Sequence, residues 1–105
     1  MAILGIHHAA IIVPDLDAAL AFYSSVLGFS VAEVADIEPS PEAEQILELK
    51  GPAARSVLLR SDWGYLELFE FVEPSSPESG TAELPVHAMG VRHICLAVDD
   101  CKSEH

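Results

Sequence analysis

The segment GIHHAAIIVPDLDAALAFYSSVLGF, residues 5–29, carries the strongest folding signals in the chain. Residues 5–13 form a short apolar run that is rich in β-branched side chains and ends at a proline, a pattern typical of a mostly buried strand. Asp15 can cap a helix, and apolar residues recur at helical spacing from there to Leu27. Gly28 can adopt the left-handed conformation that ends many helices. The segment therefore predicts a strand followed by a helix.

Three further strands and a second helix are predicted between residues 29 and 72. Residues 29–35 alternate between apolar and polar side chains, which indicates a strand. Residues 41–50 follow a serine cap and begin with proline, which predicts a short helix, with a strand over 45–49 as the alternative for so short an apolar stretch. The stretches 56–61 and 65–72 are typical of two hairpin strands that are joined by a glycine-containing turn.

Length and composition limit the class of protein. A chain of 105 residues forms one domain, and its 50% hydrophobic content and mean hydropathy of +0.32 argue against disorder. Seventeen acidic residues against five Lys and Arg give a net charge of −12, which argues against nucleic acid or anionic membranes as partners. No apolar run approaches the roughly 20 residues of a membrane helix. Two cysteines are too few for a disulfide framework, so we expect a cytoplasmic protein.

The chain contains an internal repeat. Residues 5–16 and 90–101 align without gaps at an offset of 85 positions. Two apolar strands share aliphatic residues by chance, but a histidine followed seven positions later by an aspartate in both copies favours a duplicated module. The identical pairs are Gly5/Gly90, His8/His93, Val13/Val98 and Asp15/Asp100.

The duplication predicts a division of the chain into three parts. Residues 1–73 form a first strand–helix–strand–strand–strand module, and residues 74–89, rich in Pro, Ser, Gly and Glu, form an exposed linker. Residues 90–105 begin a second module, with a strand over 90–98. We expect that module to be truncated, so that its remaining strands come from a longer chain or from another molecule.

The repeat also suggests a metal site. His8 and His93 hold equivalent positions, and each is the one strong hydrogen-bonding side chain on its apolar strand face. Glu67 lies among aromatic residues, where burial of a carboxylate is costly unless the carboxylate is paired or bound to a metal. Two imidazoles and a carboxylate suit zinc, nickel, cobalt, manganese or ferrous iron. We therefore predict His8, Glu67 and His93 as ligands of one divalent metal ion.

Each of these residues has a structural alternative. A single histidine on an apolar strand is more often a hydrogen-bonded core residue than a ligand, although the matched pair favours ligation. Glu67 would be a surface carboxylate if the opposite face of its strand, which carries Glu70, were the buried one. His7 is expected to point away from the site. Cys95 shares the face of the second histidine and either lines a cavity or serves as a small buried hydrophobe, the commoner role.

Three motifs in order resemble those of the vicinal-oxygen-chelate superfamily, which includes glyoxalases, extradiol dioxygenases and bleomycin resistance proteins. The segment 7–29 is close to the opening of its first module, YLELFEF at 65–71 to the strand that carries its glutamate, and GVRHICLAVDD at 90–100 to the opening of its second module. The resemblance implies an α+β fold in which βαβββ modules form an incomplete barrel around a divalent metal.

The resemblance also implies a set of ligands and an activity. Its metal ligands fall on His8, Glu67 and His93, and its fourth ligand would lie beyond His105. It implies a glyoxalase-like lyase or isomerase in which the metal stabilises an enolate or oxyanion of a small vicinal-oxygen substrate, with Glu67 as the base. The alternatives are an extradiol-type dioxygenase and a non-enzymatic binding protein of the bleomycin-resistance kind. A second copy of the chain, in a homodimer, is the expected partner.

Overall fold

A computed structural model of the chain describes residues 1–76, 85–91 and 93–100. Its elements follow the predicted order of strand, helix, strand, helix, strand and strand. Their bounds are β1 His8–Ile12, α1 Leu16–Ala21 with a π-helical continuation Phe22–Val26, β2 Ser30–Ile37, α2 Pro41–Leu47, β3 Ala53–Arg60 and β4 Tyr65–Glu73.

The four strands form one open, mixed sheet in the order β1-β4-β3-β2. β1 pairs with β4 in parallel, and the β3 pairings with β4 and with β2 are antiparallel. The parallel pairing joins the first strand of the chain to its last described strand. Because β4 is its one neighbour in the described sheet, β1 lies at an edge. The α+β fold and the βαβββ module are thus confirmed.

The first helix begins as its sequence predicts. The Asp15 side chain accepts a hydrogen bond from the Ala18 amide at 3.1 Å, which satisfies one of the free amides of the first turn. The last turn widens into a π-helix, since the Leu27 amide bonds to the Phe22 carbonyl at 3.1 Å. Gly28 then ends the helix at a φ of +84°, in the left-handed region that the sequence predicts there.

The core lies between this helix and one face of the sheet. Alternation along β4 places Leu66 and Leu68 on the helix side and leaves Tyr65, Glu67 and Phe69 on the opposite side, called here the open face. The fully packed centre consists of Leu16, Val57, Leu59, Leu66 and Leu68.

The second helix and the hairpin also follow the sequence. Ser40 Oγ accepts from the Ala43 amide at 3.0 Å, and the helix that begins there excludes the alternative of a strand over 45–49. The turn between β3 and β4 closes through a 2.8 Å bond from the Ser61 amide to the Gly64 carbonyl.

The predicted strand over 90–98 differs from the structure. The described residues of that range are exposed and irregular, and none of them pairs with the sheet. An apolar sequence becomes a strand only where a neighbouring strand takes up its backbone hydrogen bonds. Residues 77–84 of the predicted linker, and the final residues 101–105, lie outside the described part of the chain. No helix within the described part is long and apolar enough to span a bilayer.

Candidate functional site

Two of the three predicted metal ligands meet on the open face. The register of β1 and β4 places His8 opposite Tyr65 and Ala10 opposite Glu67. His8 and Glu67 therefore lie on the same face of adjacent strands, offset from each other by two residues in the register. His8 Nε2 is 3.4 Å from Glu67 Oε1, with 38% of the histidine side chain and 21% of the glutamate side chain exposed. The pair is partly shielded yet open to a ligand.

Glu70, the other candidate glutamate of β4, has a structural role. Its Oε1 accepts a hydrogen bond from the Leu16 amide at 2.7 Å, and its Oε2 lies 3.9 Å from Nε of Arg55. Its negative charge at the start of α1 also suits the helix dipole. The buried face of β4 is thus the face of Glu70, as the alternative interpretation had it. Glu67 is nevertheless no freely solvated carboxylate, because it is mostly covered and contacts His8.

The surroundings of Glu67 leave its carboxylate available for chemistry. Its register partners are Ala10 on β1 and Leu58 on β3, and neither side chain can donate a hydrogen bond. Tyr65 and Phe69 flank it on its own strand and face. Within the described residues, His8 is the one polar side chain that contacts this carboxylate.

The donor chemistry of the pair fits a divalent transition metal. Imidazole nitrogen and carboxylate oxygen bind zinc at roughly 2.0–2.2 Å, so two such ligands of one tetrahedral ion lie about 3.4 Å apart. The separation of His8 Nε2 and Glu67 Oε1 is 3.4 Å. Two donors make half of a tetrahedral set, so tight binding requires ligands from elsewhere.

His93, the third predicted ligand, is not brought to this pair. It is exposed in the irregular segment that follows residue 92. No group of three metal-binding side chains forms among the residues that the structure describes. Its assignment as a ligand stays a prediction. Cys95, in the same segment, is exposed and lines a cavity, so the interpretation as a buried hydrophobe is wrong.

The site contains one histidine that sequence reasoning assigned elsewhere. His7 Nδ1 lies 2.8 Å from His8 Nδ1, and the His7 ring stacks on Tyr65 with centroids 4.7 Å apart and an interplanar angle of 9°. The prediction that His7 points away assumed strand alternation, but β1 begins only at His8. The adjacent pair of histidines was the available signal.

An open cavity of about 920 Å³ adjoins these histidines. Its wall brings together polar groups from the strand ends and the hairpin turn with apolar groups from the end of the first helical segment. Arg60, which pairs with Tyr65 across the sheet, is a basic residue of this wall that the sequence did not single out. The wall includes His7, His8, Phe29, Arg60, Trp63 and Tyr65.

Fold, motifs and histidine–glutamate pair together agree with one family. The sequence pattern of the Glyoxalase/Bleomycin resistance protein/Dioxygenase superfamily matches residues 5–104. The chain belongs to this superfamily. The resemblance carried by the three motifs is thereby confirmed, and the vicinal-oxygen-chelate fold explains the open sheet and the face on which His8 and Glu67 meet.

Known proteins resemble the chain both in sequence and in fold. Human mitochondrial methylmalonyl-CoA epimerase is 35% identical over 95 residues, and the mouse protein is 33% identical over the same length. These alignments cover 90% of this chain but 47% and 46% of the epimerases, so the chain spans about half the length of these relatives. A glyoxalase family protein from Bacillus cereus matches 99% of this chain and 69% of its own, with a TM-score of 0.84 and 22% identity, which shows the shared fold.

Proposed function

We propose that the chain supplies part of the active site of a metal-assisted isomerase or lyase of the glyoxalase kind. The single observation that carries the proposal is the 3.4 Å contact between His8 Nε2 and Glu67 Oε1 on the open face. The carboxylate has no other polar side-chain partner in the described residues, and His8 Nε2 faces it, so the two groups are poised for ligation or proton transfer.

The similarity to epimerases favours the isomerase form of this proposal. An epimerase inverts a stereocentre, and for an acidic centre beside a carbonyl this begins with removal of a proton. A carboxylate in a largely apolar setting is a suitable base, and Glu67 has such a setting. The substrate class that we propose is therefore a small acyl compound with two oxygens that can bind one ion, of which an acyl thioester that also carries a nearby carboxylate is one example.

The residues would share the reaction as follows. A divalent ion, when bound, stabilises negative charge as it develops on the substrate oxygen. His8 holds one side of the site through Nε2, and Glu67 accepts the proton from the carbon beside the carbonyl. Exchange is complete when the proton on Glu67 is replaced by one from the solvent and that proton returns to the carbon, and inversion requires that a solvent-derived proton reach the opposite face of the carbon.

The proposal is tested by deuterium exchange. The purified chain would be loaded with Zn²⁺ or Co²⁺ and incubated with methylmalonyl-CoA in D₂O, and exchange at the carbon between the carbonyls would be followed by NMR. We expect Glu67→Gln to lower the enzymatic exchange rate about 10²- to 10⁴-fold. Glu73→Gln, which makes the same charge change at an exposed end of β4, is the matched control and should exchange normally.

Metal content supplies the second measurement. Elemental analysis after dialysis should find less bound metal in His8→Ala and Glu67→Gln than in the unmodified chain. Full retention of metal by both variants would show that the pair is no metal site. An unchanged exchange rate in Glu67→Gln would remove the base from the mechanism.

A binding protein without catalysis is the second candidate. The open cavity of about 920 Å³ supports it, because such a volume suits a small-molecule ligand. Tight binding of an aromatic or glycopeptide ligand by metal-free chain, with no proton exchange, would favour this candidate over the enzyme.

We further propose that a second copy of the chain is the partner that completes the site. β1 is an edge strand, so the side of its backbone away from β4 is open to another molecule in the described structure. His8 begins this strand, and donors from a second copy placed against it would lie near the incomplete pair. We expect a homodimer with composite metal sites, in which each metal ion takes ligands from both copies of the chain.

A further inference from the structure

We propose that His7 is a positioning residue that orients the His8 ring and determines which of its nitrogens carries the proton. This inference rests on the proposed function, in which His8 Nε2 is a metal ligand. It starts from the 2.8 Å contact between the two Nδ1 atoms. His7 lies outside β1 and its role follows from no strand pattern.

The contact constrains the protons of both rings. Two imidazole nitrogens at 2.8 Å attract each other only if one carries a hydrogen and the other presents a lone pair. If His8 Nδ1 donates, its Nε2 presents a lone pair toward Glu67 and can bind a cation. If His7 Nδ1 donates, His8 Nε2 carries the hydrogen instead. Both arrangements hold the same number of protons, so the choice is one of tautomer.

Stacking on Tyr65 keeps His7 in reach of His8. The two rings are nearly parallel, with an interplanar angle of 9° and centroids 4.7 Å apart. Tyr65 is also the register partner of His8 across the parallel pairing. The pairing of β1 with β4 therefore positions both His8 and the Tyr65 ring on which His7 stacks. This explains how a residue ahead of the strand keeps a defined orientation although it is exposed.

If His8 Nε2 holds a metal ion, the ring hydrogen lies on Nδ1, beside His7. A histidine ligand generally donates its other ring hydrogen to an acceptor, which sets the ring orientation and strengthens the bond to the metal. Loss of such an acceptor costs about 10- to 100-fold in metal affinity. His7 Nδ1 is the acceptor available to His8 in the described structure.

Two variants separate hydrogen bonding from stacking. His7→Phe keeps an aromatic ring for Tyr65 but removes the acceptor, and His7→Asn keeps an acceptor while it removes the stack. We expect His7→Phe to weaken Zn²⁺ or Co²⁺ binding about 10- to 100-fold in equilibrium titrations. His7→Asn should recover most of that affinity. Circular dichroism verifies that each variant is folded.

A second readout needs no metal. Two-bond ¹⁵N–¹H spectra of the metal-free chain in mildly alkaline buffer report the tautomer of the His8 ring. We expect a larger fraction of His8 rings to carry the hydrogen at Nδ1 in the unmodified chain and in His7→Asn than in His7→Phe, where Glu67, beside Nε2, is the remaining acceptor. An unchanged His8 tautomer in His7→Phe would overturn the inference. A shifted tautomer in His7→Phe, together with metal affinity that is unchanged in His8→Ala, would uphold the positioning role and overturn the proposed metal site instead.

Discussion

Glu67 and Glu70 lie three residues apart on β4, on opposite faces, and therefore make different contacts. Glu70 bonds the Leu16 amide at 2.7 Å from the core side, whereas Glu67 contacts His8 on the open face. A hydrogen bond from an amide to a charged carboxylate contributes more to folding than one between neutral groups. Loss of the Glu70 carboxylate should therefore lower the stability of the fold, and loss of the Glu67 carboxylate should weaken ligand binding.

The first prediction compares the two glutamates directly. Glu70→Gln should lower the free energy of unfolding by about 1–2 kcal/mol, because the charged acceptor at the start of α1 is lost. Glu67→Gln should change it by less than about 0.5 kcal/mol, since its charge holds no backbone group in the described structure. Urea denaturation followed by circular dichroism measures both. Equal destabilisation by the two variants would show that Glu67 is structural as well.

The second prediction concerns Arg60, a basic side chain of the cavity wall. In a chain of net charge −12, a local cation is needed to attract an anionic substrate. Arg60→Gln should raise the KM for a carboxylate-bearing substrate about 10-fold while kcat changes little. Lys50→Gln makes the same charge change away from the cavity wall and is the control. Equal effects of both variants would point to net charge rather than to a local contact.

At this scale the sequence located the catalytic candidates better than their surroundings. His8 and Glu67 stood out because polar groups on apolar strands must find partners, and the structure brings them together. His7 and Arg60 did not stand out, because nothing in strand alternation describes a residue just outside a strand or at its end. Whether His93 joins them stays a prediction.

The first helical segment ends at a left-handed glycine, Gly28, as the sequence predicts. Gly28 has a φ of +84°, and a Cβ built there meets no atom within 4 Å. The restriction at this position is therefore one of backbone conformation and not of space. Gly64, in the hairpin turn, also has open space but no positive φ, so the two glycines form a matched pair.

The third prediction uses that pair. Gly28→Ala should destabilise the fold by about 1–2 kcal/mol, because a left-handed conformation costs an L-residue that much. Gly64→Ala should stay within about 0.5 kcal/mol of the unmodified chain. Thermal or urea unfolding of the two variants gives the comparison. A neutral Gly28→Ala would mean that the helix can end without the left-handed residue.

Sequence periodicity predicted these elements well where each is held by local chemistry. The Asp15 and Ser40 caps form as expected, and both helices begin where these caps predict. The π-helical turn of residues 22–26 was not predictable, because it has no separate sequence period. The apolar pattern over 90–98 failed for a related reason: a strand depends on its neighbour, and no pattern within the segment supplies one.

In the described structure, the two donors of the proposed metal site lie beside an open edge of the sheet. His8 and Glu67 supply two donors, and no third joins them among the described residues. β1 holds the edge position in the sheet next to these donors. A metal ion that gains its further ligands from another copy would bind the associated form more tightly than the single chain. Metal binding and association would then strengthen each other.

The fourth prediction is that zinc drives dimerisation. In sedimentation velocity, metal-free chain should approach the mass of a single copy, 11.3 kDa, and added Zn²⁺ should shift it toward twice that mass. His8→Ala and Glu67→Gln should abolish the shift, since each removes a donor, whereas Glu73→Gln should preserve it. A chain that binds zinc tightly while its mass stays that of one copy would disprove the composite site, because the missing ligands would then come from the same chain.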